Sequence, residues 1–456
     1  MQIATLFLFS MFVIFQLIYI IVPLIKLRGK QYCRDNDMIN SFTILIPAYN
    51  EAEVMEGCIL GIRNLSYENF EAIIINDGST DGTLDKLNSL LLLERAELLP
   101  LHELEFKPIK DIYRSTLFPK IFVIDKENGG KADSLNTGLE YSKNEIIITL
   151  DADCVLRFDA LEKMNSAFQK EELLAAGGMI HIVQGISLKQ NLPVLNFKKS
   201  NLIKYQIIQY LTNFYLYKST HSTLKSMTVI AGAFGAFRRE VLLRLKGYRQ
   251  TIGEDMEITL RIQHYISTEA PKKRVSFVPE AVCYTECPES FRNLFKQRLR
   301  WQRGFLDCIK LYSNNLFKSL GLSVSLYLFF DSFLLGTIIA FPTIAIPLIL
   351  ILLNSSLKMF IAFLSISFSL GVLQSISALY ISKKYGYEYA LSDIFRLLLF
   401  IPFEIISYRL LGLLFVTFGT LKYFKKDKEW YKVERVGRGY EIICEGEYAV
   451  AEEASR

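Results

Sequence analysis

Two carboxylates stand two residues apart in "TLDADCVL", residues 149–156, at the end of an apolar run. In a strand, side chains at i and i+2 share a face, so Asp151 and Asp153 would aim into one small volume. Like charges that close repel unless a cation sits between them. A hard divalent ion, Mg²⁺ or Mn²⁺, bridging to diphosphate oxygens would satisfy both. A solvated turn would satisfy them too, and the rest of the chain must separate the readings.

Other residues with usable chemistry occupy comparable places. "FTILIP" (42–47), "EAIIIND" (71–77), "KIFVID" (120–125) and "EIIITLDAD" (145–153) alternate with helical stretches reaching Arg63, following "GSTDGT", and spanning 132–142. Such alternation predicts parallel pairing in a doubly wound α/β sheet, where ligands sit beyond the carboxyl ends of the strands. Asn50, Glu51, Asp77, Lys131, Asp151 and Asp153 all fall at those ends or in the loops that follow. Four clusters on one edge make a cleft, and its chemistry suits a nucleotide diphosphate. Asp77 can accept from a base edge such as the uracil imide, and Tyr49 can cover the ring. Lys131 follows "NGG", a turn that can bring an ammonium to a phosphate. "NDGSTDGT" alone reads equally well as a plain Gly/Asp turn.

Two later stretches add weight. "TIGEDMEITLRI" (251–262) sets Glu254 and Asp255 before an amphipathic helix, where an N-capping acid is the simpler explanation. "QRLRWQRG" (297–304) places Gln297, Arg300 and Trp301 at i, i+3 and i+4, on one helix face. Indole faces stack on sugar rings and guanidinium groups pair with phosphate.

These residues must be held by a chain of 456 residues, 51% hydrophobic, with mean hydropathy +0.24. Residues 3–25 carry no charge and are followed by Lys26, Arg28 and Lys30. That length crosses a ~30 Å hydrocarbon core, and the charges follow rather than precede it, so a membrane anchor (1–30) with a cytoplasmic C-terminal end is expected instead of a signal peptide. Residues 40–315 are mixed and charged, as a cytosolic globular domain should be. Over 316–425 apolar character returns, with candidate spans at 325–353 and 359–382. The stretch 391–422 holds Arg396, Glu404 and Arg409 between basic flanks, which implies a tight hairpin broken near Pro402 or an interfacial helix. A cytosolic tail, 426–456, closes the chain. Seven cysteines, an odd number, fit reduced thiols, and Cys283 with Cys287 lacks a second pair for zinc. The net charge of +5 gathers at membrane edges, which favours lipid headgroups over nucleic acid.

Taken together, "PAYNE" (47–51), "NDGSTDGT" (76–83), "GGKADSLNTGL" (129–139), "DAD" (151–153), "GED" (253–255) and "QRLRW" (297–301) resemble the membrane-integrated family 2 glycosyltransferases, from about residue 42 to 304. Within that family the length, the single N-terminal anchor and the context of the last two motifs are closest to bacterial poly-N-acetylglucosamine synthases. The resemblance implies a GT-A nucleotide-sugar fold and inversion at the anomeric carbon. It implies donor contacts at Pro47, Tyr49, Glu51, Asp77, Lys131 and Asp151, and a metal at Asp153 with Asp151. Asp255 would be the general base. Glu254, Gln297, Arg300 and Trp301 would line the acceptor and gate, with Arg300 steadying the departing diphosphate and Trp301 flooring the acceptor sugar. "MTVIAGAFGAFRRE" (227–240) looks like the family's acceptor-side strand and loop. Residues 91–118 are an insertion with no evident role.

The expected partners are a UDP-sugar, a polysaccharide or glycan acceptor, the bilayer and export or accessory membrane subunits. The final motif, typical of processive members, argues against single transfer to a lipid or short glycan. The intact carboxylates argue against a non-catalytic nucleotide- or glycan-binding membrane protein.

Overall fold

The computed structural model describes residues 2–28, 39–189, 192–339 and 357–425. In chain order the helices that matter are α1 (Gln2–Arg28), α2 (Met55–Arg63), α3 (Thr83–Leu91), α4 (Lys131–Tyr141), α5 (Ala160–Phe168), α6 (Glu254–Thr268), α7 (Phe291–Tyr312), α8 (Leu357–Lys384) and α9 (Leu391–Phe424). Contacts divide the described residues into two compact units. One comprises 39–189, 192–193 and 229–287, the other 2–28, 194–228, 288–339 and 357–425. Residues 194–228 and 288–315, which the sequence reading placed with the α/β part, group with the apolar helices.

The α/β unit is built on a ten-stranded sheet. Its strands are β1 (Phe42–Ala48), β2 (Phe70–Asp77), β3 (Leu93–Arg95), β4 (Ile109–Ser115), β5 (Ile121–Lys126), β6 (Ile146–Leu150), β7 (Cys154–Leu156), β8 (Leu173–Ile182), β9 (Phe234–Arg238) and β10 (Arg274–Thr285). The spatial order is β3-β4-β5-β2-β1-β6-β9-β8-β10-β7. The central four, β5-β2-β1-β6, are parallel, as the alternating pattern predicts. β1 and β6 are nearly all buried on both faces, so they read as continuous Ile/Leu runs instead of alternating ones. Beyond β6 the sheet turns mixed. β9 lies antiparallel to both β6 and β8, and β7 antiparallel to β10. The sheet is thus mixed around the parallel core that the strand–helix alternation predicts.

The insertion is the edge of this sheet. β3 and β4 form an antiparallel pair on β5. The loop between them folds back on α4, where the buried Glu140 carboxylate accepts backbone N–H groups of His102, Glu103 and Leu104.

In the second unit, α1, α8 and α9 are long and apolar enough to cross a membrane. Tyr19 of α1 donates its hydroxyl to Asp331 at 2.6 Å, a polar tie within an apolar setting that the sequence reading did not foresee. α9 runs unbroken past Pro402, which removes the hairpin, one of the two expected alternatives. Proline removes one N–H and bends a helix but does not oblige it to stop. Lys30, the second half of span 325–353 and the tail 426–456 lie outside the described residues.

Candidate active site

The rim of the site is formed by the loops after β1 and β2. Asn50 N–H donates to Ser79 Oγ (2.9 Å), Thr80 N–H to Asn50 Oδ1 (2.7 Å) and Glu51 N–H to Thr83 Oγ1 (2.9 Å). "YNE" and "GSTDGT" are therefore one knitted surface, and Pro47, Tyr49 and Glu51 lie half-buried on it. Several residues of the second motif hold turns, as the plainer reading required.

Asp77, at the end of β2, is buried. Its carboxylate accepts N–H groups from Gly129 (2.9 Å) and Gly130 (2.8 Å) and an ammonium proton from Lys126 (3.0 Å). That cradle fixes the loop between β5 and α4, so Lys131 begins α4 after Gly130, whose φ of 87° suits glycine.

The Lys131 ammonium lies 2.6 Å from Asp151 Oδ1 and 3.1 Å from Glu254 Oε1. Three distant stretches of sequence meet there. Burial alone would pull the ammonium down, but Asp151, Glu254 and then Asp255 outweigh it and hold Lys131 above the usual lysine range. Burial also raises the Glu254 carboxyl; Lys131 opposes this and Asp255 adds to it.

β6 stops at Leu150, and Cys154 N–H donates to Asp151 O at 3.0 Å. "DAD" is thus a tight turn, and the expected sharing of one strand face is corrected. The Asp151 side chain is 32% exposed, whereas Asp153 is 4% exposed, with Thr285 Oγ1 and Cys154 Sγ each 3.5 Å from its oxygens. Both supply hard carboxylate oxygens, a donor set that fits Mg²⁺ or Mn²⁺. Among the described residues no cluster of three or more His, Cys, Asp or Glu is assembled. If Asp151 and Asp153 held the ion, a bound ligand's oxygens and water would have to complete its shell.

Glu254 and Asp255 open α6 behind Gly253, which caps with no side chain. Asp255 Oδ1 accepts Met256 N–H at 2.8 Å and Oδ2 accepts Gly232 N–H at 3.4 Å. Among the described residues Asp255 makes no ion pair, unlike Glu254. Gly232 lies within the stretch 227–240, where the sequence reading named no candidate residue. A Cβ there would stand 2.9 Å from Lys131 Nζ, so only glycine leaves the ammonium its place. Lys131, Glu254, Asp255 and Gly232 line one small pocket with Tyr248, whose buried hydroxyl has no hydrogen-bond partner among the described residues. The signal for Gly232 was its place in "IAGAFGAF"; Tyr248 left none.

Gln297, Arg300 and Trp301 lie on α7, in the other unit. Gln297 is buried, Arg300 half-buried and Trp301 44% exposed. Arg298, passed over in the sequence, stacks its guanidinium 4.0 Å from the Trp301 ring and donates to Gln209 at 2.8 Å.

The pattern of Glycosyl transferase family group 2 matches residues 146–376, and that of Glycosyl transferase family 2 matches 43–103. The chain belongs to the family 2 glycosyltransferases. Relatives of this family 2 chain include poly-beta-1,6-N-acetyl-D-glucosamine synthases of Staphylococcus aureus (strain COL) and Staphylococcus epidermidis. Each is 30% identical over 272 residues, 59% of this chain and 55% or 56% of the relative. The chain spans a little over half the length of these curated relatives. Among solved structures it is similar to a mannosyltransferase from Pyrobaculum calidifontis in complex with GDP-mannose and Mn²⁺. That likeness has a TM-score of 0.51 and 16% identity and covers 92% of this chain and all of the other. It supports the GT-A-like fold expected from the motifs.

Proposed function

We propose that this chain transfers N-acetylglucosamine from a UDP-sugar to a growing β-linked polysaccharide, with inversion, on the cytoplasmic side of a membrane it crosses several times. The observation that carries the reading is the convergence of Lys131, Asp151, Glu254 and Asp255 at the carboxyl edge of the parallel core. The named synthases to which it is similar supply the sugar and the polymer.

In this reading the rim at Pro47, Tyr49 and Glu51 holds the base beside Asp77. Lys131 leaves Asp151 to meet the donor diphosphate and keeps its contact with Glu254. Asp151 and Asp153 would hold a divalent cation, which when bound would supply charge neutralisation at the leaving group. Asp255, unpaired with any described cation, takes the proton of the acceptor hydroxyl as that oxygen attacks, while Glu254 stays engaged by lysine. Gln297, Arg300 and Trp301 contact acceptor and gate, and the long apolar helices guide the product outward with any export or accessory subunits.

Membranes carrying the chain, incubated with a panel of UDP-sugars and Mg²⁺ or Mn²⁺, should make polymer from UDP-N-acetylglucosamine that linkage-specific hydrolases degrade. EDTA should abolish it. A product one sugar longer than its acceptor would replace the polymer reading with single transfer. No transfer from any UDP-sugar would overturn both.

A further inference from the structure

Lys126 has no task in that scheme. It is fully buried at the last position of β5, where lysine is rare unless paired. Its ammonium donates to Asp77 Oδ1 (3.0 Å) and to the Glu127 carbonyl (2.7 Å), and lies 2.5 Å from Asp133 Oδ1. An ammonium has three protons, so all are used.

Each carboxylate in turn grips backbone. Asp77 holds the N–H groups of Gly129 and Gly130, and Asp133 holds that of Lys107 at 3.0 Å. The loop that delivers Lys131 and the β3–β4 loop of the 91–118 insertion therefore hang on one cation. Close packing enforces this arrangement, because a Cβ on Gly129 would fall 2.3 Å from Asp133 Oδ1.

A carboxylate offers about four acceptor positions. Lys126, Gly129 and Gly130 fill three on Asp77, which leaves one on Oδ2. One acceptor matches the single imide N–H of uracil; the equivalent nitrogen of cytosine is itself an acceptor.

We propose that Lys126 is a positioning residue of the donor site. It binds Asp77 and Asp133 together so that Asp77 keeps one acceptor for a uracil imide and the loop carries Lys131 to the diphosphate. The proposal rests on the UDP-sugar reading and gives the insertion a use, as the far support of Asp133.

Removing the cation leaves two buried carboxylates facing each other, a costly arrangement that removal of one of them should relieve. The test is calorimetry of the purified full chain with UDP and with CDP. Lys126→Met should weaken UDP at least about tenfold and erode the preference for UDP over CDP. Asp133→Asn added to Lys126→Met should recover most of the loss. A purely structural lysine would lower both nucleotides alike and show no rescue. Wild-type affinity in Lys126→Met, or a double variant no better than it, overturns the proposal. If Lys126→Met does not fold, the double variant is compared with Asp133→Asn alone: UDP affinities within about threefold support the proposal, and a further tenfold loss overturns it. Failure of the wild-type chain to bind UDP would sink the donor reading and this inference together. UDP binding without polymer would sink only the polymer.

Discussion

Lys131 and Asp151, twenty residues apart on different elements, meet at 2.6 Å. In the proposed scheme Asp151 would hold a metal and Lys131 would meet the donor diphosphate, so this pair would exchange partners when the donor binds. Lys131→Met should leave Asp151 and Glu254 without their cation and deprive the diphosphate of an ammonium. Charge-assisted bonds of this kind are worth about 1.5–3 kcal/mol, so UDP affinity should fall on the order of 10- to 100-fold. Titration calorimetry measures it. Undiminished affinity would show that Lys131 never leaves Asp151.

Gly232 gives a sharper probe, because its role is only to be small. The Cβ of Gly232→Ala would press the tip of a flexible lysine rather than backbone, so the fold should tolerate it. Transfer should fall at least about tenfold as the ammonium is displaced, since small misplacements in a site cost that much or more. The thermal midpoint should barely move. Equal losses of stability and activity would mean that the glycine serves packing alone.

The parallel core was legible because its strands are buried on both faces and punctuated by turn residues, a pattern that survives any tertiary context. The site carboxylates were legible for a related reason: Asp77 and Asp151 interrupt apolar runs where a charge needs an explanation. What failed was local geometry. "EIIITLDAD" reads as one strand through Asp153, yet the chain turns at Asp151, and nothing in Ala152 announces it. Pro402 reads as a break, yet α9 continues through it. Lys126 went unnoticed because a lysine at a strand end normally reaches solvent. Its meaning came only from Asp77 and Asp133, 49 and 7 positions away.

A separate expectation concerns acid stability. His181 is buried on β8, and burial, with Arg157 adding to it, pulls its imidazole down to about 3. Ordinary histidine titrates near 6.5. Between those values the unfolded chain binds a proton that the folded chain refuses. Stability is therefore full above about 6.5 and is lost as pH falls toward 3, by up to about 1.4 kcal/mol per pH unit. Thermal unfolding of the full chain from pH 7.5 to 4.5 should show a shallower fall for His181→Gln than for wild type. Parallel slopes would assign acid sensitivity to other groups.

The choice between Asp255 and Glu254 as base is the most direct test of the chemistry. Their positions differ by one residue on α6, but Glu254 is 3.1 Å from the Lys131 ammonium while Asp255, among the described residues, accepts backbone N–H groups and makes no ion pair. A carboxylate tied to a cation is a poorer proton acceptor, so Asp255 is the expected base. An acid that acts on the acceptor hydroxyl need not touch the nucleotide. Asp255→Asn should therefore bind UDP almost as wild type while polymer synthesis falls on the order of 10²–10⁴-fold. Glu254→Gln should show the opposite balance, because it frees Lys131 from one partner and alters donor binding more than the chemical step. Calorimetry with UDP and Mn²⁺ beside a polymer assay separates the two variants. Near-normal turnover in Asp255→Asn, with collapse in Glu254→Gln, would transfer the role of base to Glu254 and leave Asp255 as a support for the helix N-terminus.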